Sequence, residues 1–321
     1  MSSILTLTMN PALDVFLETP RMRPNGKLRC SKPRCLPGGG GINVSRALRR
    51  LGGESTALFP AGGATGSRLI ELLARESIAV NVVRIAEESR ENVNVVETGT
   101  RMEYRFIVPG PEIGINEWKH TLHAIRSVAP RPSILVASGS LPPGVPVDFY
   151  SRVAAVCAEL GIRLIADTSG EAFRHTGGKG TYLLKPNVRE LMMSGGDAPI
   201  SDNAIADAAH AIVDAGRCEV VVISAGGGGA MIVDRRGTRR IPAPVVAIGS
   251  RVGAGDSMVA GIALALSRGT NIDEAVMYGV AAGSAAVMTN RHELCRRDDA
   301  ERLFHDVVQL CGSAANAMQI A

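Results

Sequence analysis

The sequence predicts an α/β fold, a mostly parallel sheet covered by helices on both faces. Short apolar runs alternate with segments of helical spacing along most of the 321 residues. Four of the six runs that we assign to strands are apolar at successive positions, as in strands buried on both faces. This alternation is typical of a sheet whose parallel strands are joined by helical crossovers.

The elements follow in chain order. The predicted strands are 4–8, 56–59, 134–138, 163–167, 182–184 and 220–224. Apolar residues at helical spacing predict helices over 43–51, 66–76, 147–159, 187–193 and 202–215, and a long apolar helix begins near 258. Because we find no internal repeat, low-complexity tract or interdomain linker, we expect residues 1–321 to form one domain.

Two segments, 13–36 and 88–108, interrupt this alternation. They are richer in charge, and polar and apolar residues alternate along them, as in Asn-Val-Asn-Val at 92–95. Such alternation is typical of strands with one solvated face. We therefore expect exposed antiparallel strands that pair as a small β lid over one edge of the fold.

The composition excludes several functional classes. Hydrophobic residues make up 45% and aromatic residues 3%, and the net charge is only +4. Scarce aromatics disfavour a protein that stacks nucleic-acid bases, and so small a charge implies neither a nucleic-acid nor a membrane partner. The apolar run 275–288 is shorter than the roughly 20 residues that span a bilayer.

The six cysteines form no C-x-x-C pair and no zinc-site spacing. We expect reduced thiols in a cytoplasmic protein, because a chain of this length needs no disulfides for stability. Residues 1–10 lack the charged start of a secretory signal peptide.

The segment 252–257, Val-Gly-Ala-Gly-Asp-Ser, precedes the long apolar helix. Gly253 and Gly255 permit a sharp turn, and the free amides of a helix start favour an anion such as phosphate. Asp256 would stand beside that phosphate as a base for an attacking hydroxyl. Read alone, Asp256 has an alternative role, compensation of the helix dipole.

Four consecutive glycines, 38–41, precede Ile42 and Asn43. They indicate backbone packed close to a ligand, or else a flexible loop. Asn43 would bond a sugar hydroxyl, or else cap the helix. The dinucleotide fingerprint G-x-G-x-x-G is not met, which argues against an NAD-linked oxidoreductase.

Two segments at predicted strand ends suit a nucleotide and its metal. In Lys185-Pro186-Asn187, with Glu190 three residues on, an amide and a carboxylate share one face of a first helical turn and can orient Mg²⁺ or its waters. The alternative is an N-cap with its capping box. The glycine-rich loop 224–229 follows a strand, and since there is no Walker A motif any nucleotide is held in another manner.

Six cations without an acidic residue stand at Arg21, Arg23, Lys27, Arg29, Lys32 and Arg34. They would hold a small phosphorylated substrate, helped by Arg90 and Arg105 from the second lid segment. A solvated strand face is the alternative. Asp14 would accept hydrogen bonds from the hydroxyl groups of a sugar, or else stabilise a loop by bonding to its backbone.

Together these motifs resemble the ribokinase-like, or PfkB, family of sugar kinases over essentially the whole chain. The first and second family signatures correspond to 38–43 and 252–257, and the family's Asn-x-x-Glu magnesium motif to Asn187 and Glu190. Segments 26–30, 59–66, 104–106, 138–144 and 279–286 resemble its phosphosugar-kinase branch. The resemblance implies a three-layer ribokinase-like sandwich with a mostly parallel sheet and a β-sheet lid.

The resemblance also implies residue roles. Asp256 is the base, and Gly253, Ala254 and Gly255 form the anion hole. The expected sugar-phosphate ligands are Asp14, Lys27, Arg29, Gly39, Asn43, Arg90, Arg105 and Ser140. The expected ATP neighbours are Lys185, Asn187, Ser224, Gly226, Gly227, Gly229, Gly283 and Ser284, and Glu190, with Asn187, holds Mg²⁺ through water.

Two departures from the branch argue against a potassium requirement. Arg251 replaces the usual Thr before the second signature, and Arg291 and Glu293 intrude where a small residue is usual. Ser250 and Val252 remain as candidate ligands of a monovalent cation. Arg251 would instead supply a fixed positive charge.

The resemblance implies ATP-dependent phosphorylation of fructose 6-phosphate to fructose 1,6-bisphosphate, by a homodimer that pairs through its lid. Tagatose 6-phosphate and fructose 1-phosphate are alternative substrates. A non-catalytic protein that senses a sugar or a nucleotide is the alternative outside the enzymes.

Overall fold

The computed structural model describes residues 4–193, 200–289 and 293–320, without the side chains of 314–320. The strands are β1 (Ile4–Leu7), β2 (Ala12–Thr19), β3 (Arg34–Gly38), β4 (Ser55–Ala61), β5 (Ala79–Arg84), β6 (Arg90–Glu97), β7 (Glu103–Phe106), β8 (Ile134–Ser138), β9 (Arg163–Asp167), β10 (Thr181–Leu184), β11 (Val220–Ser224), β12 (Ala230–Asp234) and β13 (Gly237–Ile241). The helices are α1 (Gly40–Arg50), α2 (Gly63–Arg75), α3 (Ile115–Ser127), α4 (Phe149–Leu160), α5 (Gly170–His175), α6 (Val188–Met192), α7 (Asp202–Asp214), α8 (Ala254–Ser267), α9 (Ile272–Val287) and α10 (Arg297–Ile320).

A large sheet has the strand order β13-β12-β11-β10-β9-β8-β1-β4-β5. Its strands from β11 to β5 are parallel, and β12 and β13 add an antiparallel edge. All six predicted strands are confirmed, and each belongs to the parallel part. Successive side chains of these strands are buried on opposite faces, which explains their uninterrupted apolar runs.

Helices cover both faces of this sheet, as predicted. Residues of α1, α8, α9 and α10 form one apolar core with it, and residues of α3, α4, α5, α6 and α7 form another on the opposite face. The five helices predicted between the strands are confirmed with small shifts at their ends. The arrangement is a ribokinase-like α/β fold.

Helix α8 is the apolar segment that follows the second glycine motif. Its residues from Ser257 to Leu266 are buried, and it packs between α1 and α9. An all-round apolar helix is therefore a core helix here. Within the described residues no helix combines the length and the apolarity that crossing a membrane requires.

The lid is a separate sheet with the strand order β3-β2-β6-β7. Its outer pairs are antiparallel, as predicted, but the central pair β2–β6 is parallel because both strands leave the body of the fold in the same direction. The prediction of strands throughout 13–36 is also wrong, since residues 20–33 form a loop between β2 and β3. Five of the six clustered cations lie in that loop, so they do not form a strand face.

Candidate active site

A cavity of about 920 Å³ lies where β9, β10 and β11 end and α8 begins. The carboxyl ends of parallel strands are where α/β sheets bind ligands. All eight residues predicted to border ATP line it: Lys185, Asn187, Ser224, Gly226, Gly227, Gly229, Gly283 and Ser284. Its remaining wall includes the apolar side chains of Val245, Val246 and Ile248.

The start of α8 forms one end of this cavity. Gly253 is the N-cap with φ +77°, a conformation that favours glycine, and Ala254 and Gly255 line the cavity. The first amides of a helix have no partner within it and carry partial positive charge. A Cβ built on Gly255 would lie 3.9 Å from Lys185 Nζ, so the ammonium stands beside these amides.

Asp256 and Asn43 meet beside that helix start. Asn43 Nδ2 donates a 2.9 Å hydrogen bond to Asp256 Oδ2. Asn43 lies inside α1, which begins at Gly40 after the N-cap Gly39, so the alternative of a capping role for Asn43 is wrong. The Asp256 side chain therefore contacts α1, a different element of the site. A residue that only compensates the dipole of α8 would not need this contact.

The four glycines let α1 approach the strands closely. A Cβ on Gly40 would lie 2.2 Å from Ser138 Oγ, and one on Gly41 would lie 2.4 Å from the carbonyl oxygen of Leu7. The run is therefore packed backbone, and the alternative of a flexible loop is wrong. Gly39, at φ +109°, makes the turn that brings Asn43 to Asp256.

The pKa of Asp256 is raised from 3.8 to about 7, chiefly by burial and then by the negative charge of Asp167. The hydrogen bond from Asn43 and the charge of Lys185 act in the opposite direction. A carboxylate with a pKa near the working pH is suited to taking a proton from a hydroxyl.

Asp167 is a site residue that our sequence reasoning missed. It ends β9, lines the cavity and pairs with Lys185 over 3.1 Å, where the two side chains are 15% and 5% exposed. Burial acts to lower the pKa of Lys185. The negative charges of nearby carboxylates, of which Asp167 has the largest effect, nevertheless raise this pKa overall. The sequence did contain a signal for Asp167: it is a carboxylate at the end of an apolar strand, at the edge of the sheet where ligands bind.

The predicted magnesium pair forms a capping box, which confirms the alternative interpretation of the motif, and its magnesium role stays a prediction. Asn187 Oδ1 accepts from the Glu190 amide, and Glu190 Oε2 accepts from the Asn187 amide. The box uses one oxygen of each side chain, and both residues line the cavity. A backbone bridge joins Asn187 to Ser224, so these two predicted neighbours of ATP are adjacent.

One carboxylate and one amide fit a magnesium ion that keeps most of its waters. The described residues contain no group of three or more His, Cys, Asp or Glu side chains that could hold a metal ion by themselves. The donor set therefore suits a metal that arrives with a phosphate.

The lid contributes Asp14 from β2, opposite Leu36 of β3 and Asn92 of β6. Asn92 Nδ2 donates to Asp14 Oδ1 over 2.9 Å, and Asp14 is a strand residue, so the alternative of a loop role is wrong. Burial raises its pKa, while its hydrogen bond with Asn92 and the charges of Arg105 and Arg90 act to lower it. A hydrogen-bonded carboxylate thus lies among cations.

The remaining predicted sugar-phosphate ligands separate into two groups. Arg90 and Ser140 line a second cavity of about 590 Å³, and Arg105 donates to Asn94 on the neighbouring lid strand. Lys27 and Arg29 lie exposed in the loop 20–33, and the structure does not bring them to the other site residues.

The candidate cation loop is only partly within the described residues. The amide of Val252 donates to Ser250 Oγ, and the carbonyl of Glu293 accepts from Thr289 Oγ1. Arg291 lies outside the described residues. Arg251 lines the large cavity next to the start of α8.

Comparison with known proteins shows the family to which the chain belongs. Residues 7–295 match the model of the pfkB family carbohydrate kinases. The chain is 46% identical over 302 residues to ATP-dependent 6-phosphofructokinase isozyme 2 of Mycobacterium tuberculosis (strain ATCC 25618 / H37Rv), covering 94% of this chain and 88% of that protein. It is 40% identical over 305 residues to the enzyme of the same name from Escherichia coli (strain K12), covering 95% and 98%.

More distant relatives carry another specificity in their names. A 1-phosphofructokinase of Bacillus subtilis (strain 168) is 32% identical over 304 residues, covering 95% of this chain and 98% of that protein.

Solved structures of a relative superpose on nearly the whole chain. Phosphofructokinase-2 from Escherichia coli in complex with potassium superposes with a TM-score of 0.90 at 39% identity, covering 96% of this chain and all of that one. The same enzyme in complex with fructose-6-phosphate gives 0.87, and its tetrameric inhibited form gives 0.88, with the same coverage.

Proposed function

This chain belongs to the pfkB family of carbohydrate kinases, and from that membership we propose that it transfers the γ-phosphoryl group of ATP to fructose 6-phosphate. The products are fructose 1,6-bisphosphate and ADP. The observation that carries the proposal is the Asn43–Asp256 hydrogen bond, which holds a carboxylate of raised pKa beside the free amides of α8.

The nucleotide and the sugar occupy opposite ends of the site, so that the attacking oxygen, the γ-phosphorus and the leaving oxygen are in line. The ATP phosphates lie in the large cavity, with Lys185 and the amides of Gly253, Ala254 and Gly255 around the γ-phosphoryl group. Asp256 accepts the proton of the C1 hydroxyl as its oxygen bonds to the γ-phosphorus. The bond from that phosphorus to the β–γ bridging oxygen breaks, and ADP leaves. Catalysis is mostly positioning and charge neutralisation.

Asn187 and Glu190 would hold Mg²⁺ through its waters. When bound, the ion neutralises charge on the nucleotide phosphates. The chain's own residues supply the rest: Asn43 orients Asp256, and Asp167 keeps Lys185 charged and in place.

The sugar occupies the space between Asp256 and the lid. Asp14, Gly39 and Asn43 lie where hydroxyl groups would be bound, and Arg90, Arg105 and Ser140 lie toward the existing phosphate. Lys27 and Arg29 reach that phosphate only if the loop 20–33 closes or a partner subunit supplies them. Relatives named 6-phosphofructokinase share 40–46% identity with the chain, against 30–34% for those named 1-phosphofructokinase, which favours fructose 6-phosphate as the acceptor.

We propose further that two copies pair through their lids in the cytoplasm. At the end of the lid's edge strand β7 and directly after it, Phe106, Ile107 and Val108 expose 51%, 53% and 43% of their surface, and a contiguous apolar strip of this kind favours a protein partner. The six cysteines are free thiols, as suits a reducing compartment. Asp14, the lid carboxylate, would then lie near the subunit boundary.

The test is a steady-state measurement of ADP formation with ATP, Mg²⁺ and one phosphorylated ketohexose at a time. We expect fructose 6-phosphate to give a kcat/KM at least about tenfold above those of fructose 1-phosphate and tagatose 6-phosphate. A higher value for either competitor would reassign the substrate. Binding of sugar phosphate without ADP formation would point to a sensing protein.

A further inference from the structure

Asn10 lies at the junction between the lid and the body of the fold. It follows β1 and is only 3% exposed. Its Nδ2 donates to the carbonyl oxygen of Pro109, where the chain leaves the lid, over 2.7 Å, and to Ser140 Oγ, on the body, over 3.3 Å. One amide group therefore connects two segments that are about 100 and 130 residues away along the chain.

Arg90 joins the same junction from the first residue of β6. Its Nη2 donates to the carbonyl oxygen of Asn10 over 2.9 Å, and its Nη1 donates to that of Val108 over 2.7 Å. Two backbone carbonyls thus fix the plane of the guanidinium without neutralising its charge. A fixed and charged guanidinium is the arrangement that binds phosphate with the greatest geometric selectivity.

Two polar atoms at this junction have no partner among the described residues. Asn10 Oδ1 and Arg90 Nε are buried and make no hydrogen bond. Buried polar atoms are normally paired, so unpaired ones call for an explanation. Asn10, Arg90 and Ser140 all line the cavity of about 590 Å³, where an entering phosphate can pair with the guanidinium.

Gly110 packs against the Asn10 side chain on the side of the lid. Gly110 has φ +103°, and a Cβ there would lie 2.3 Å from Asn10 Oδ1. The segment that returns from the lid is therefore packed directly on the amide.

We infer that Asn10 is a positioning residue for the sugar phosphate: its side-chain amide anchors it to Pro109 and Ser140, and this holds in place the backbone carbonyl that accepts from Arg90. This inference rests on the proposed function, in which Arg90 and Ser140 face the phosphate. It assigns to Asn10 no contact with the reacting atoms, so its loss affects sugar-phosphate binding and leaves phosphoryl transfer intact.

The experiment compares Asn10→Ala, Asn10→Asp and Gly110→Ala with the wild type in steady-state kinetics. For Asn10→Ala and Gly110→Ala we expect the KM for fructose 6-phosphate to rise about 10- to 100-fold, with kcat within about threefold and the KM for ATP within about twofold. Asn10→Asp should raise the sugar-phosphate KM more than Asn10→Ala does, because it adds a negative charge beside the phosphate. A purely structural role predicts instead that both variants lower the melting temperature without a selective rise in this KM, since neither Ala nor Asp can donate to Pro109.

Asn271→Ala is the matched control. Asn271 caps α9 by accepting from the Glu274 amide, and it lines neither cavity described above, so its loss should lower stability without altering either KM. A sugar-phosphate KM for Asn10→Ala within about twofold of the wild type would overturn the inference, as would a parallel rise in both KM values. Gly110→Ala decides the matter if Asn10→Ala fails to fold. A wild type that forms no ADP with any ketohexose phosphate overturns the proposed function itself, which is a distinguishable result.

Discussion

Asn43 donates a 2.9 Å hydrogen bond to Asp256 from a position 213 residues earlier in the chain. The bond joins the first turns of α1 and α8, and both of these helices follow a glycine turn with positive φ. It holds the carboxylate against the helix start that would receive the phosphoryl group.

Asp256→Asn should lower kcat by about 10²- to 10⁴-fold, with both KM values within a few-fold, because Asn cannot accept the proton. The matched control is Asp273→Asn, which removes an acidic residue from the first turn of α9, a helix whose start is not at the cavity. That variant should retain its turnover. Near-normal kcat in Asp256→Asn would exclude Asp256 as the base.

The rate should depend on pH through the same carboxylate. A base must be ionised, and the pKa of Asp256 is raised to about 7, so kcat should rise with pH and level off above a midpoint near 7. Asp167→Asn removes a charge that raises this pKa, so the midpoint should move to lower pH. A kcat independent of pH from 5 to 9, in a wild type that stays folded, would contradict this assignment.

Asp256 should also make the fold less stable at high pH. Between pH 4 and 7 the folded chain keeps a proton that the unfolded chain has lost, so stability falls as pH rises across this window, by about 4 kcal/mol at most. Asp256→Asn should raise the melting temperature at pH 8, and the gain should vanish near pH 4. Calorimetry at the two pH values measures this, and an equal gain at both would disagree with a raised pKa.

Arg251 lines the large cavity, where a fixed cation can serve the nucleotide phosphates. We expect the wild-type rate to change less than about twofold when KCl is replaced by tetramethylammonium chloride at equal concentration, and Arg251→Ala to raise the KM for ATP. Arg235, an exposed arginine beside β12 and outside that cavity, provides the control Arg235→Ala. A steep rise of the wild-type rate with potassium would refute the hypothesis that Arg251 supplies a positive charge in place of a monovalent cation.

Phe106→Asp should shift the chain toward monomer in sedimentation velocity, since it places a charge in the exposed apolar strip of the lid. Ile115→Asp is the control, because Ile115 is 63% exposed but begins α3 outside the lid. Unchanged sedimentation of Phe106→Asp would remove the lid as the interface.

Six of the parallel strands could be predicted because they are largely buried on both faces. Val220–Ser224 is apolar at four successive positions for this reason. The edge strands Ala79–Arg84 and Gly237–Ile241 were missed, since they mix exposed and buried side chains and their sequences contain polar residues. The lid was predicted from its alternation, but the parallel direction of its central pair has no local signal.

The site divides in the same way. Residues 253–256 could be identified from the sequence because the chemistry of a helix start depends on consecutive residues. Asp167 and Asn10 were missed because each is one polar residue at a strand end, and only its distant partners, Lys185 and Arg90, give it a role.

The sequence alone determined the fold class, the glycine turns and the residue types around the large cavity, because these depend on neighbours within a few positions. The tertiary structure decided which side chains meet: Asn43 with Asp256, Lys185 with Asp167, and Arg90 with the carbonyl of Asn10. Such pairs form only when the order of strands in the large sheet brings segments 18 to 213 residues apart to a common edge, and that order results from packing over the whole chain.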